Sequence, residues 1–430
     1  MITFIIFLVL VGFILLGIPI AVAMGLTAVL TFIFMGEAHI LTMVAQRMYS
    51  STTAFTLLAI PFFILAGNLM NTGGITRRVF RFAQALVGHI WGGLGQVNVV
   101  ASMIFSGMSG SAVADAAGLG LIEMKAMVDS GYERKFSAAV TAASSTIGPV
   151  VPPSIPFVIY GSLTGVSVGK LFLAGFVPGA LMGIALMTAV LIVSRTRQYP
   201  KEKRASIREL LDSARQAVLP LGTPVIIIGG IMGGVFTPTE AAVVASLYAM
   251  FLGLVIYKEF TLKDLPKIFW ETIVYTIRVM FIISAAGFFG WLLIRQKIPE
   301  QVILTLTAIT TSKAALLAMI TMILLILGCF IEGIAVFVIT IPVFMPLIAR
   351  FGIDEVQFGV IMTLASMLGL LTPPVGMSLY SVSSISQVPI ERLAKELLPY
   401  LLGIFAVLLA VTFIPWISLI LPHLFMGHGM

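Results

Sequence analysis

The sequence predicts an all-α polytopic membrane protein built from two inverted-topology repeats, each with a re-entrant hairpin and a broken transmembrane helix. Three observations carry that prediction. First, the composition is 59% hydrophobic and 10% charged with a mean hydropathy of +1.12, more apolar surface than the core of one soluble domain could hide. Second, apolar runs approaching the roughly 20 residues that span a bilayer recur from end to end. Third, two Pro-rich breaks interrupt such runs at a fixed spacing. SSTIGPVVPPSIP at 144–156 has four prolines in eight residues, and MLGLLTPPVG at 367–376 aligns with it, Gly148 with Gly369, Pro152 with Pro373 and Pro153 with Pro374, always 221 apart. Proline removes a backbone donor and clashes with the preceding turn, so each helix must stop there.

The first repeat takes residues 1–195. Residues 3–17 and 20–35 read as spans joined at Ile18-Pro19, and residues 56–69 contribute to a third with Pro61 as a kink. Residues 1–18 lack a cationic start and a small-residue cleavage site, so they are expected to be a retained span. In residues 75–91, Arg77, Arg78, Arg81, Gln84 and His89 punctuate an apolar series, as in a helix lying in the interface. A short apolar arm then reaches the tip SGMSGS at 106–111, and a second arm returns from Ala112 to about Val128. Cations flank both ends of this unit (hairpin 93–129), which predicts entry from and return to one side. The broken helix (136–165) follows, then a span at 171–193.

Residues 196–218 are a basic connection. Between 195 and 215 lie seven cations against three acids, which by the positive-inside rule places this segment in the cytoplasm and makes the net charge of +7 a topology signal, with no nucleic-acid partner. Ser206 with Glu209 predicts a capped surface helix there. The second repeat, 219–430, repeats the plan. Spans at 219–235 and 241–256 meet at a capping box, Thr237 with Glu240, and 274–294 crosses outward. A hairpin (314–349) has its tip at 328–333, a second broken helix takes 356–386, and residues 400–421 close the chain. Five crossings per half is odd, so the halves face opposite ways and both termini are expected on the periplasmic side. The turn at 131–135 is basic and its counterpart at 352–355 acidic, in keeping with that inversion.

A helix ended in the membrane leaves up to four N–H and four C=O groups without intrahelical partners, each costing several kcal/mol in hydrocarbon. Carbonyls and hydroxyls suit an alkali cation, and half-helix N-termini suit an anion. Each tip is therefore expected against its own break, 106–111 with 146–153 and 328–333 with 369–374. Asp115 and Glu332 lie at these tips, where an ionised carboxylate needs a cation. The single cysteine, Cys329, excludes an internal disulfide, and the four histidines form no zinc-type cluster.

Four stretches, AIPFFILAGN at 59–68, SGMSGSAVAD at 106–115, GPVVPPS at 148–154 and LTPPVG at 371–376, resemble the large membrane (M, DctM-family) subunit of tripartite ATP-independent periplasmic (TRAP) transporters, over essentially the whole chain. The resemblance implies an elevator-type, sodium-coupled importer of organic acids in the bacterial inner membrane. Its scaffold would be the outer spans and interfacial helices, and its moving unit the hairpins and broken helices. It implies no enzyme activity and no organic cofactor. The partners it implies are a soluble periplasmic binding protein (P-type), a small membrane subunit (Q-type) as a separate chain, and membrane lipid. The tip followed by Ala114 and Asp115 is most similar to members handling sialic acid and related sugar acids, with C4-dicarboxylates as the other substrate class. Carried over, sodium falls on Ser106, Gly107, Ser109, Ser111, Thr146, Gly148, Pro149, Gly328, Glu332, Gly369, Thr372 and Pro373. Substrate falls on Ser109, Ser111, Asp115, Ser154, Arg295 and Glu332, with Arg295 as an anion-attracting charge at the outer mouth. A stand-alone sodium/carboxylate symporter is the neighbouring alternative. An intramembrane hydrolase would need a His-Glu-x-x-His motif, a serine paired with a buried histidine, or paired aspartates; the first is absent and no histidine sits mid-span.

Overall fold

The computed structural model describes residues 2–109, 112–117 and 119–427, and the side chains of 2, 106–109, 113, 114 and 117 lie outside that description. Among the described residues the regular structure is helical, with no strand. The first half holds α1 (Ile2–Leu15), α2 (Ile20–Phe34), α3 (Val44–Ser50), α4 (Ala59–Thr72), α5 (Ile75–Val87), α6 (Gly93–Ser109), α7 (Ala112–Ala117), α8 (Leu119–Asp129), α9 (Arg134–Ser145), α10 (Ile155–Thr164) and α11 (Val168–Thr196). The second holds α12 (Ile207–Met232), α13 (Pro238–Phe251), α14 (Leu265–Arg295), α15 (Ile298–Ile309), α16 (Lys313–Phe330), α17 (Gly333–Arg350), α18 (Glu355–Gly369), α19 (Met377–Ser386), α20 (Ile390–Phe413) and α21 (Trp416–Met426). Eight helical segments among the described residues are long and apolar enough to cross a membrane.

The spacing found in the prolines extends to the helix boundaries. The outgoing hairpin arms begin at Ala112 and Gly333 and end at Asp129 and Arg350, and the next helices begin at Arg134 and Glu355, each pair keeping the offset of the prolines. Between the hairpins the chain crosses five times, through the α9–α10 pair, α11, α12, α13 and α14. A hairpin returns the chain to the side it left, whatever its depth, so the odd count inverts the second repeat relative to the first.

Packing follows the same symmetry. Within each repeat the entering arm lies on the first half of the broken helix, α6 on α9 and α16 on α18. Between repeats the second half of one broken helix lies on the other hairpin's outgoing arm, α10 on α17 and α19 on α7. Around this centre α13 packs on α4, and α14 on α2 and α4, while α5 bridges α6 and α12. In α5, Ile75, Val79, Ala83 and Val87 are buried at four-residue spacing, and Arg81 reaches out to Asp212 (3.3 Å). The basic segments gather on one face, where the Tyr132 hydroxyl donates to the Pro200 carbonyl (2.7 Å), Arg78 pairs with Glu259 (3.2 Å) and Arg197 pairs with Glu396. The far end of α14 carries Arg295 to the opposite face.

Several elements depart from the sequence reading. Pro61 causes no break, because it lies in the first turn of α4, where its missing N–H has no intrahelical acceptor to lose. Ser206 caps a helix as expected, accepting from the Glu209 N–H (3.1 Å), but that helix continues without interruption as α12 to Met232, so residues 207–218 are not a separate surface element. The Thr237–Glu240 capping box is complete. The final span is two helices divided at Pro415, and α3 and α15 have no counterpart in the sequence reading.

At the second pairing, a Cβ on Gly369 would lie 2.5 Å from the Cα of Gly328. Backbone cannot retreat as a side chain can, so Gly369→Ala is expected to destabilise the protein by about 1–3 kcal/mol, as overpacking does. Gly229→Ala, with nothing within 4 Å of its Cβ, should leave the unfolding temperature unchanged or raise it. Thermal unfolding of both variants in detergent checks this.

Candidate transport site

The second break is built from the tip it faces. α16 ends at Phe330, which leaves the Cys329 carbonyl without an intrahelical partner. That oxygen accepts from the N–H groups of Val375 (3.2 Å) and Gly376 (3.1 Å) in the break after α18. The carbonyl of Leu370 in turn accepts from Ser378 (3.2 Å) and Leu379 (3.4 Å) at the start of α19, and the Thr372 hydroxyl donates to Leu368 (2.7 Å). The Pro373–Pro374 bond is cis, as is Pro152–Pro153 at the equivalent place. The tip and the break that the sequence pairs, Gly328 with Gly369, are in backbone contact.

The first break is held by side chains. Asn98 of α6 donates to Thr141 (2.8 Å) and accepts from Ser144 (2.6 Å), fixing the arm to α9. The Thr146 hydroxyl donates to Ala143 (2.6 Å). Ser154 closes the break: its hydroxyl donates to the Pro149 carbonyl and caps α10 by accepting from Phe157 N–H (3.3 Å). Asp115 is buried, and a Cβ on Gly148 would lie 2.5 Å from its Oδ2, so this carboxylate rests on the backbone of the break. Farther along the returning arm, Glu123 is also fully buried, and its Oε1 has no hydrogen-bond partner. Sequence reasoning missed it, since Glu123 beside Lys125 in LGLIEMKAMVD reads as an exposed helix position.

Between the breaks lies a small cavity. Its wall includes Pro149, Ile155 and Pro156 from the first break and α10, Glu332, Gly333 and Ile334 from the second tip and α17, Met367 and Leu370 from the second break, and Tyr275 from α14. The first residues of α10 and α17 both line it, so two half-helix N-termini, one from each repeat, meet at one cavity with their positive dipole ends. Glu332 sits there as the N-cap residue of α17 without making a capping bond, and no lysine, arginine or histidine among the described residues pairs with it. Tyr275 is the other residue that sequence reasoning missed. It stands inside a long apolar helix, and only the packing of α14 against α17 brings it here.

The candidates then sort as follows. Pro149, Glu332, and Gly148 through Asp115 belong to this centre, as do Gly328, Gly369, Thr372 and Pro373 at the second pairing. Ser154 is adjacent, its hydroxyl committed within the break. Gly110 and Ser111 lie outside the described residues, as do the side chains of Ser106 and Ser109; Gly107, in α6, has no described surroundings. Arg295 is elsewhere: twenty residues along α14 from Tyr275 is ~30 Å at the helical rise. There it makes a two-pronged contact with Glu37 (Nε and Nη2, each 3.1 Å), and the hydrogen bonds from that guanidinium hold the Glu37 carboxyl below the usual range.

The family model described as the tripartite ATP-independent periplasmic transporter, DctM component, matches residues 7–417. The chain belongs to this family. It is 46% identical over 418 residues to the sialic acid TRAP transporter large permease protein SiaM of Vibrio cholerae, covering 97% of this chain and 98% of that protein. To the C4-dicarboxylate TRAP transporter large permease protein DctM of Pseudomonas aeruginosa it is 41% identical over 401 residues, covering 93% and 94%. Among solved structures, the YdaH transporter of Alcanivorax borkumensis matches with a TM-score of 0.65 at 14% identity over 89% of each chain. That likeness extends to the fold alone. The chain is thus a multi-pass large permease of the TRAP type, a transporter component.

Ser154→Ala removes a buried donor to Pro149 and the cap of α10 together, and is expected to cost about 1–2 kcal/mol. Thermal unfolding reads this directly, and Ser154→Thr should recover most of the loss.

Proposed function

We propose that this DctM-type permease uses a sodium gradient to import an organic acid of the sialic acid class. The observation that carries the reading is the meeting of the α10 and α17 N-termini at one cavity. Two positive dipole ends in a low-dielectric interior suit a carboxylate. The acids Asp115 and Glu332 and the carbonyl- and hydroxyl-rich pairings suit sodium, which would bind before the anion and offset the buried negative charge. Ser106, Ser109, Ser111, Thr146 and Gly148 would serve one ion, and Gly328, Gly369 and Thr372 another. Neutralised in this way, the two hairpins and two broken helices would move as one unit against the scaffold of α2, α4, α13 and α14. The higher identity to SiaM than to DctM supports a sugar acid over a C4-dicarboxylate. By the positive-inside rule the face gathering Arg78, Arg197 and Lys201 would be cytoplasmic, in a bacterial inner membrane, with both termini periplasmic.

The test is uptake into proteoliposomes holding this chain and its small membrane subunit, with a soluble binding protein outside. Sialic acid should accumulate only with inward sodium and only with the binding protein present. Full activity of this chain alone would point to a stand-alone symporter, and accumulation of C4-dicarboxylates in its place would reassign the substrate. Glu332→Gln should slow sodium-driven uptake by about tenfold or more, the scale of one charged hydrogen bond or ion contact.

A further inference from the structure

A second, larger crevice opens along α10, α14 and α17, the same three helices that wall the central cavity, toward the face that carries Arg295. Its lining includes Arg47 and Ser50 of α3, Ser51, Thr164 at the end of α10, and Trp291 of α14, above an apolar floor from α17. The two cations near its mouth differ in kind. Arg295 lies 6.0 Å from the Trp291 ring, but its charge is neutralised by Glu37. The Arg47 guanidinium lies 4.8 Å from the same ring centroid, pairs with no carboxylate among the described residues, and has a buried Nε without an acceptor. A guanidinium held against an aromatic face, part desolvated and lacking a counter-ion, is a prepared site for a planar oxyanion.

The hydroxyls beside it narrow the ligand. Ser50 and Ser51 both donate to the Arg47 carbonyl (3.1 and 2.8 Å), which leaves their oxygens free to accept. One unpaired cation beside hydroxyl acceptors matches a single carboxylate on a molecule rich in O–H donors, better than it matches a molecule with a carboxylate at each end.

We infer that Arg47 is the outer docking residue for the transported acid, holding its carboxylate in the α10–α14–α17 crevice before it reaches the central cavity, and that the crevice selects polyhydroxylated monocarboxylic acids. This rests on the organic-acid reading above. The experiment measures the concentration dependence of sodium-driven sialic acid uptake in the complete three-component system. Arg47→Gln should raise KM about tenfold or more while leaving the maximal rate within about twofold and abolishing the dependence of KM on ionic strength. Arg47→Lys should recover part of the affinity, as a point charge without the fork. Lys170→Gln, which removes a cation outside the crevice, should leave KM within about twofold, the scale of a screened surface charge.

An unchanged KM in Arg47→Gln, with the wild type active, overturns the inference and leaves the transport reading intact. A wild type that takes up no organic acid overturns that reading and this one with it. Intact-complex mass spectrometry covers the remaining source of an oxyanion: a phospholipid retained by the wild type and lost in Arg47→Gln, with KM unchanged, would assign the crevice to a lipid phosphate. A variant that fails to assemble is replaced by Arg47→Lys, whose salt-dependent KM alone decides for or against.

Discussion

A helix that stops inside a bilayer exposes N–H and C=O groups to a medium that cannot hydrogen-bond them, and the centre of this protein is shaped by that constraint. The second break shows the solution most plainly. The Cys329 carbonyl, orphaned at the end of α16, takes the N–H groups of Val375 and Gly376, so the end of one interrupted helix completes another. That exchange is possible only because Gly328 and Gly369 bring backbone against backbone. The prolines at 373 and 374 stop the helix, and the glycines let the tip come close enough to satisfy what the stop leaves exposed. Pairing of tip and break is thus a condition of folding before it is a device for binding.

The two repeats meet the constraint differently. The second uses main chain on main chain. The first uses side chains: Asn98, Thr141 and Ser144 join the arm to α9, Ser154 spans the break, and Asp115 lies on Gly148. With four hydroxyl or amide groups and a carboxylate in one centre, and glycine contact in the other, the internal symmetry of the backbone does not extend to chemistry. The cavity inherits this asymmetry, with proline and isoleucine from one side and the free carboxylate of Glu332 from the other.

Much of this architecture was legible in the sequence because its signals are local and repeated. Gly148, Pro152 and Pro153 recur at one constant offset as Gly369, Pro373 and Pro374, and the helix boundaries at Asp129 and Arg350 obey the same spacing. Thr237 and Glu240 announce a helix start through a capping box that lies within a single turn. What escaped depends on contacts distant in sequence. Tyr275 is one aromatic residue in an apolar helix until α14 packs on α17. Arg47 stands in a short segment, 36–54, without hydrophobic periodicity, and its character comes from Trp291, which belongs to the other repeat. Arg295 stood out in the sequence as the first cation after a long apolar run, but its environment is set by Glu37 across a fold contact that no local pattern encodes. The apolar run from 219 suggested a span beginning there, yet α12 starts at Ile207 and runs through Pro220 and Pro224, because the Ser206 cap and the packing of α12 on α5 and α13 sustain it.

The crossed packing of the repeats limits how this centre can move. Because α10 lies on α17 and α19 lies on α7, the far half of each broken helix is attached to the other repeat's hairpin, while its near half is attached to its own. Displacing one hairpin alone would tear α6 from α9 or α16 from α18, and with them the hydrogen bonds that Cys329 and Asn98 accept and donate. In a medium without water those bonds have no substitute, so each loss costs several kcal/mol. On the transport reading proposed above, a motion of this centre would therefore be cheapest with both hairpins and both broken helices travelling together.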